Sequence, residues 1–331
     1  MLGKGTIEGV ATFQEGKIEY TRRLFEENLD KFPYPQREEG YFEKFIPTII
    51  SSRGCNGRCS FCSTRYTGNW RGRTPENVYL EIEDIVLHHK QNHFQFVEPN
   101  FLQDGARAQR IAELLEKLPC EVTFDFACRI DSIVNHKNVI TKLKKAGAIK
   151  VLLGIENFSN YILEAWKKDI TCKQIEEAIK ILRSNKLAFS VSLILFHPDV
   201  TIEELIFNVK EIEKLDIVYE IENLYNALIL IPGTKMNVTN QKKEWKYKEK
   251  QICHIHKACL EYKEQLDKYC KDFSLSMIDY KTLFELNAFL KWYELDRLKE
   301  LLGLPVQSKK IEKESVFILN SRIGIQMEGK T

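Results

Sequence analysis

The sequence predicts an α/β fold, a partial (β/α)6 TIM-like barrel with an α-rich C-terminal extension, and three observations carry that expectation. Strand-like and helix-like segments alternate from Phe45 to about Met236, the pattern of a parallel sheet with crossover helices. The chain has 331 residues and 44% hydrophobic content, enough to bury one large core. Beyond Val238 the alternation gives way to Lys- and Glu-rich helical periodicity. The expected division is a linker over 1–44, a barrel core over 45–237 and a helical extension over 238–331.

Six strands are expected: Phe45 to Ser51, Phe94 to Glu98, Glu121 to Cys128, Lys150 to Gly154, Ala188 to Phe196 and Leu224 to Ile231. The first connecting helix runs from Pro75 to Gln91, with Thr74 as N-cap and proline at the first helical position. Its Val78, Ile82, Ile85 and Val86 recur at helical spacing and give one face to pack on the sheet. Further amphipathic helices are expected over Arg107 to Lys117, Asn138 to Ala146 with Gly147 as the stop, Cys172 to Asn185, and Thr201 to Leu215. In such barrels the chemistry gathers at the carboxyl ends of the strands. Residues 1–44 show no sustained period apart from a hairpin signal at Glu15-Gly16 and the extended Phe32-Pro33-Tyr34-Pro35. The tail from Ser315 to Gln326 reads as weakly strand-like.

A net charge of +2 and a pI of about 8.0 give no global field for nucleic acid or an anionic membrane. The longest apolar stretches, such as Ala227 to Ile231, are too short to span a bilayer, and Met1 to Val10 lack the apolar run of a secretory signal. A cytoplasmic protein is the expectation. Nine cysteines, an odd number, argue against a disulfide framework and leave thiols for metal. Cys120, Cys128, Cys172, Cys253, Cys259 and Cys270 are dispersed and read as small buried hydrophobes.

The other three lie together. Arg53-Gly-Cys55-Asn-Gly-Arg-Cys59-Ser-Phe61-Cys62 is a CxxxCxxC segment with an aromatic residue before the last cysteine. Thiolates suit iron–sulfur clusters, and three cysteines on a four-iron cubane leave one iron open to a small molecule. Gly54 and Gly57 allow the loop to close tightly. Five arginines and no acidic residue lie between Ser51 and Pro75. The competing reading is structural zinc, which requires a fourth ligand; His88, His89 and His93 offer no recognisable ligand spacing for it.

With this motif the sequence resembles the radical S-adenosylmethionine (SAM) superfamily. The resemblance implies a 4Fe–4S cluster on Cys55, Cys59 and Cys62 with Phe61 beside it, SAM on the open iron, and an electron donor such as flavodoxin or ferredoxin. It also implies roles at the strand ends. Phe96-Val-Glu98-Pro-Asn100 resembles the second-strand motif and places Glu98, with Asn100, at the SAM amino group; Pro99 departs from the usual second acid. Cys128-Arg129-Ile-Asp131 resembles the third-strand motif, where Arg129 pairs with the SAM carboxylate or, alternatively, with a barrel carboxylate. Gly154-Ile-Glu156 resembles the fourth-strand motif and gives Glu156 to the SAM ribose or amino group. Pro232-Gly233-Thr234 resembles the turn near the adenine. After the fifth strand the family's glycines are missing, and His197 is a candidate acid or base against the alternative of a structural loop histidine.

The segment from Ile7 to Ile18, with Leu29 to Pro35, resembles the junction to a cobalamin-binding domain in the cobalamin-dependent branch of the superfamily. That resemblance implies cobalamin only through a separate domain or subunit, and Val10, Phe13, Ile18, Leu24 and Phe25 as apolar surface left for it. The expected activity is radical generation for modification of a small molecule or peptide. A methylthiotransferase-like enzyme needs a second cluster, for which Cys253, Cys259 and Cys270 lack spacing; an electron carrier or structural subunit has no need of a SAM pocket. Trp292, Tyr293, Phe284 and Phe289 are candidates for a substrate pocket but sit at core-like helical spacing.

Overall fold

The structure is a computed structural model that describes residues 9–14, 16–21, 24–38, 40–236, 246–272 and 280–306. The strand-like tail expected over Ser315 to Gln326, and the side chains of Phe284 and Phe289, lie outside the described residues. Five parallel strands form the central sheet in the order β3 (Thr48–Ile49), β6 (His93–Phe96), β7 (Thr123–Arg129), β8 (Ala148–Glu156), β9 (Ala188–Leu193). Helices α2 (Pro75–His89), α3 (Gly105–Leu115), α5 (Lys137–Lys145), α7 (Cys172–Ser184) and α8 (Ile202–Leu215) lie in the crossovers between strands or after the last one. Two further short helices, α4 (Ile130–Asn135) and α6 (Asn160–Ala165), follow β7 and β8.

Alternation along the strands explains the layering. Phe94, Phe96, Phe124, Phe126, Val151, Leu153, Val191 and Leu193 are buried in the same core as Val78, Ile82 and Ile85 of α2 and Ile111 of α3. Gln95, Val97 and Lys150, pointing the other way, are exposed. Period-two alternation sends these two sets to opposite faces. The phenylalanines pack as a stack, with Phe94 and Phe124 near-parallel at 5.6 Å and Phe96 edge-on to both. Gly147, at φ 109°, makes the turn into β8 where a Cβ would stand 1.9 Å from the Val122 carbonyl oxygen, so no other residue fits.

The expected sixth strand does not join the ladder. Leu224 to Ile231 follows β9 only through isolated parallel bridges, Val191 to Ile221 and Phe196 to Ala227. The Asn223 side chain accepts from the Tyr225 N–H at 3.1 Å and folds the chain at the start of the run, a local bond that competes with sheet pairing. The apolar residues serve the neighbouring helices: Tyr225 is buried and donates to the Glu294 carbonyl. Helices α9 (Lys250–Asp272) and α10 (Tyr280–Leu301) pack here, with His256 stacked on Phe196 at 4.2 Å and Trp292 edge-on to Tyr219. No helix among the described residues is long and apolar enough to cross a membrane.

The N-terminal segment forms the expected hairpin, β1 (Ala11–Gln14) with β2 (Lys17–Tyr20), turned at Gly16. A strap then crosses α2: Asp30 accepts from the Thr74 N–H at 3.0 Å and from its hydroxyl, Tyr34 donates to the Asn77 carbonyl, and Arg37 pairs with Glu81. Thr74 caps α2 by accepting from Asn77 N. Thr74→Ala removes the cap and the hydroxyl's bond to Asp30 together, leaving the backbone N–H bond, and a loss of about 1 to 2 kcal/mol in urea unfolding is expected. Thr74→Ser, which keeps the hydroxyl, is expected to stay within about 0.5 kcal/mol of the parent.

Candidate functional site

The cysteine loop begins where β3 ends. A two-stranded antiparallel clip, β4 (Ser52–Arg53) with β5 (Arg71–Gly72), closes its base. Gly54, at φ 80°, sits where a Cβ would come within 2.3 Å of the Asn69 carbonyl oxygen, so glycine is required for the loop to close. Each sulfur receives one N–H. Gly57 N donates to Cys55 Sγ at 3.3 Å, Thr64 N to Cys62 Sγ at 3.4 Å, and Arg129 Nη1 to Cys59 Sγ at 3.3 Å. Burial pushes the Cys55 thiol up, and the neighbouring Cys59 and Cys62 act in the same direction. Metal binding reverses that balance, because ligation requires the thiolate.

Among the described residues, the donor trio found within 4.8 Å of one another is Cys172, Glu176 and Glu211, and Lys214 already pairs with both of those carboxylates. The histidines that zinc would need are engaged elsewhere: His88 with Asp84, His89 stacked on Phe42, His93 with Thr123. Three thiols in one loop, each met by a donor, suit three corners of a cubane.

The strand ends bring Asn100, Arg129 and Glu156 to this loop. Asn100 is buried; its Oδ1 accepts from Arg129 N at 3.2 Å and its amide donates to Ser132 and Gln103. Gln103 Oε1 in turn accepts from Asn56 N, so β6 and the cysteine loop are tied through one side chain. Arg129 forms a fork with Asp131, at 2.9 and 3.1 Å, and donates to the Lys168 carbonyl at 2.7 Å. Asp131 is the carboxylate that Arg129 meets within the chain. Glu98 is buried beside Ser51, whose hydroxyl donates to its Oε1. Its Oε2 has no partner among the described residues, and burial holds its carboxyl above the usual range.

Glu156 stands at a β-bulge ending β8, at φ 69°, and pairs with Lys168 at 3.0 Å. Gly154 makes room for this pair: a Cβ there would lie 2.7 Å from Glu156 Oε1 and 3.0 Å from Lys168 Nζ. Lys167 and Asp169, on either side of Lys168, also hold positive φ, an unfavourable conformation for residues with a Cβ that persists only where the surroundings enforce it. The enforcing contacts are with the cysteine loop. Ser60 N donates to the Trp166 carbonyl, Phe61 meets the Trp166 ring edge-on at 5.5 Å, and Arg58 pairs with Asp169 at 3.0 Å. The Pro232-Gly233-Thr234 turn docks on the same loop through Met236 N to the Ser60 carbonyl.

His197 is buried between the Trp166 ring and Glu204, which it meets at 2.8 Å; Glu204 also accepts from Asn157, the residue after Glu156. This is the geometry of its structural alternative. Gln103 lies within the second-strand segment Phe96 to Asp104 but was given no role there, and Trp166 and Lys168 were not indicated by any sequence motif. Lys168 follows another lysine and looks like ordinary surface charge; the small Gly154 opposite it is the one trace of the pair.

Residues 49–212 match the radical SAM superfamily. That segment is a radical SAM domain. It is similar to an uncharacterized methyltransferase of Pyrococcus horikoshii, 28% identical over 240 residues, which are 70% of this chain and 51% of the relative. It is also similar to the anaerobic magnesium-protoporphyrin IX monomethyl ester cyclase of Synechocystis, 23% identical over 69% of this chain and 46% of the cyclase. In fold the radical SAM chain resembles the cobalamin-dependent S-adenosylmethionine radical enzyme OxsB with aqua-cobalamin bound, at TM-score 0.79 and 16% identity over 96% of this chain and 56% of that one. The radical SAM methyltransferase TsrM of Kitasatospora setae, with cobalamin and a 4Fe–4S cluster bound, aligns at TM-score 0.54 and 17% identity over 65% of this chain and 46% of that one. The chain spans about half the length of these relatives.

Proposed function

We propose that this chain holds a 4Fe–4S cluster on Cys55, Cys59 and Cys62 and cleaves SAM reductively to modify a small molecule or peptide. The observation that carries the reading is the set of three cysteine sulfurs in one loop, each with an N–H donor, joined through Arg129 to the buried acid–base pair at the end of β8. When bound and reduced, the cluster supplies one electron to the SAM sulfonium, releasing methionine and a 5′-deoxyadenosyl radical that takes a hydrogen atom from the substrate.

The protein's part is binding and exclusion. Glu98 Oε2, buried and without a partner among the described residues, suits a cationic amino group, whose N–H donors would complete it. Glu156 and Lys168 present one negative and one positive head to a zwitterionic ligand such as the methionyl end of SAM. The Pro232-Gly233-Thr234 turn and the Trp166 ring close the site from the side of the cysteine loop. An electron arrives from a reduced donor protein of the flavodoxin or ferredoxin class. Cobalamin, where it takes part, comes on a separate domain or subunit.

A methylthiotransferase-like second cluster has less support. Cys253 and Cys259 lie on α9 six residues apart, one exposed and one buried, at helical positions that do not share a face. The side chain of Cys270 lies outside the described residues.

The test is anaerobic reconstitution with iron and sulfide, then reductant and SAM, with mass spectrometry for 5′-deoxyadenosine. Formation of 5′-deoxyadenosine that requires the reductant is expected, together with no cobalamin retained through gel filtration. A reconstituted cluster that leaves SAM intact overturns the enzymatic reading in favour of an electron carrier. Stoichiometric cobalamin on the chain alone overturns the separate-domain reading.

A further inference from the structure

We infer that Arg129 sets the reduction potential of the cluster by a fixed hydrogen bond to the Cys59 sulfur, and that it does not grip the SAM carboxylate. The inference rests on the cluster reading above. A guanidinium has five N–H donors. Here Nε donates to Asp131 Oδ1, Nη2 to Asp131 Oδ2 and to the Lys168 carbonyl, and Nη1 to Cys59 Sγ at 3.3 Å. One Nη1 N–H is left. A forked grip on a second carboxylate needs two parallel donors, and Asp131 already holds that fork.

The group has no room to swing away. Nη1 lies 2.9 Å from where a Cβ on Gly57 would stand, so the cysteine loop closes directly over it. The Arg129 main chain is pinned by Asn100, and the residue as a whole is buried. A buried N–H held on a ligating sulfur favours the more negative state of the cluster, because the attraction grows with the charge on the sulfur. Reduction adds one electron from the donor protein and transfers no proton at Arg129, which stays a cation throughout. The other two sulfurs receive backbone donors, Gly57 N and Thr64 N, which side-chain replacement does not remove. Arg129 is the charged donor in the set, so the potential is tuned at this position.

The experiment is a potentiometric titration of the reconstituted full chain followed by electron paramagnetic resonance, without SAM, on the parent, Arg129→Gln and Arg129→Lys. SAM affinity is measured on the same samples by calorimetry. Arg129→Gln is expected to lower the reduced-to-oxidised ratio about tenfold at a given potential, about 59 mV for one electron. Arg129→Lys, which keeps the charge without the fork, is expected to shift less, and SAM affinity to stay within about twofold in both. An unchanged midpoint in both variants with weakened SAM binding overturns the inference and returns Arg129 to the SAM carboxylate. Loss of the cluster from both variants overturns it as well, since Arg129 is then a structural support of the loop. A parent chain that assembles no four-iron cluster fails the cluster reading itself, and is recognised before any substitution is made.

Discussion

Cys59→Ala is expected to abolish cluster assembly, reducing iron and labile sulfide after anaerobic reconstitution from about four per chain to background. On the proposed reading three thiolates would hold the cubane, and losing one would leave two corners without a protein ligand. Cys59 is the buried member of the set and the one that meets Arg129, so its loss also leaves a buried cationic donor without its acceptor. Cys55→Ala and Cys62→Ala are expected to behave alike. Cys128→Ser is the informative control. Cys128 is buried close by, bonded to Asn100 Oδ1 at 3.3 Å, and burial pushes its thiol well above the usual range. It lies on β7, outside the CxxxCxxC segment, and its thiol is engaged with Asn100, so its serine variant is expected to keep a full complement of iron. Full iron and sulfide in Cys59→Ala, or their loss in Cys128→Ser, would refute the ligand assignment.

Much of the fold was legible because its signals are local. The four strands from β6 to β9 were readable as short apolar or aromatic runs, and Thr74 with Pro75 announced α2. Two runs misled for one reason: apolarity marks burial and does not specify what does the burying. In Leu224 to Ile231, Leu224, Tyr225 and Leu228 are buried, Tyr225 bonding to α10, while Ile229 is exposed, and the Asn223 side chain folds the start of the run away from regular pairing. Phe45 to Ser51 pairs only at Thr48 and Ile49, and Phe45, Ile46 and Ile50 are exposed at the sheet edge. The short helices α4 and α6 have too few turns to show a period.

The N-terminal segment shows the same distinction between pattern and partner. Phe13 and Ile18 are 74% and 71% exposed on the hairpin, with Val10 and Leu24 also exposed, as expected of apolar surface left uncovered. Phe25 departs from that expectation. It packs under Gly68, where a Cβ would meet its ring at 2.9 Å, and Arg71 lies over its face at 4.9 Å. The cation and the glycine that hold it are more than 40 residues along the chain, beyond the reach of any local signal. At the site, residue types indicated which atoms are candidates to bind metal but not how the arginine is shared. Asp131 was visible in the third-strand motif, yet its claim on Arg129 depends on the turn into α4.

Lys168→Met is expected to destabilise the protein by about 3 to 5 kcal/mol in urea unfolding at neutral pH, the cost of leaving a buried charge without its partner. Glu156 and Lys168 are 8% and 4% exposed and 3.0 Å apart, so water cannot take over the carboxylate that the substitution leaves behind. The double variant Lys168→Met with Glu156→Gln removes both charges and is expected to recover most of the loss, because a neutral amide beside methionine leaves no ion unpaired. The pair also works through the main chain: the Lys168 carbonyl anchors Arg129 and is untouched by the side-chain change, so the double variant is expected to assemble its cluster. SAM binding separates stability from function. If Glu156 and Lys168 are the two heads that meet the methionyl end of SAM, the refolded double variant keeps its iron yet binds SAM at least about tenfold more weakly, the equivalent of one lost charge-assisted hydrogen bond. Equal stability of Lys168→Met and the parent would show that the pair is not desolvated as the structure has it. Full SAM affinity in the double variant, with the cluster intact, would place the methionyl group elsewhere on the strand ends.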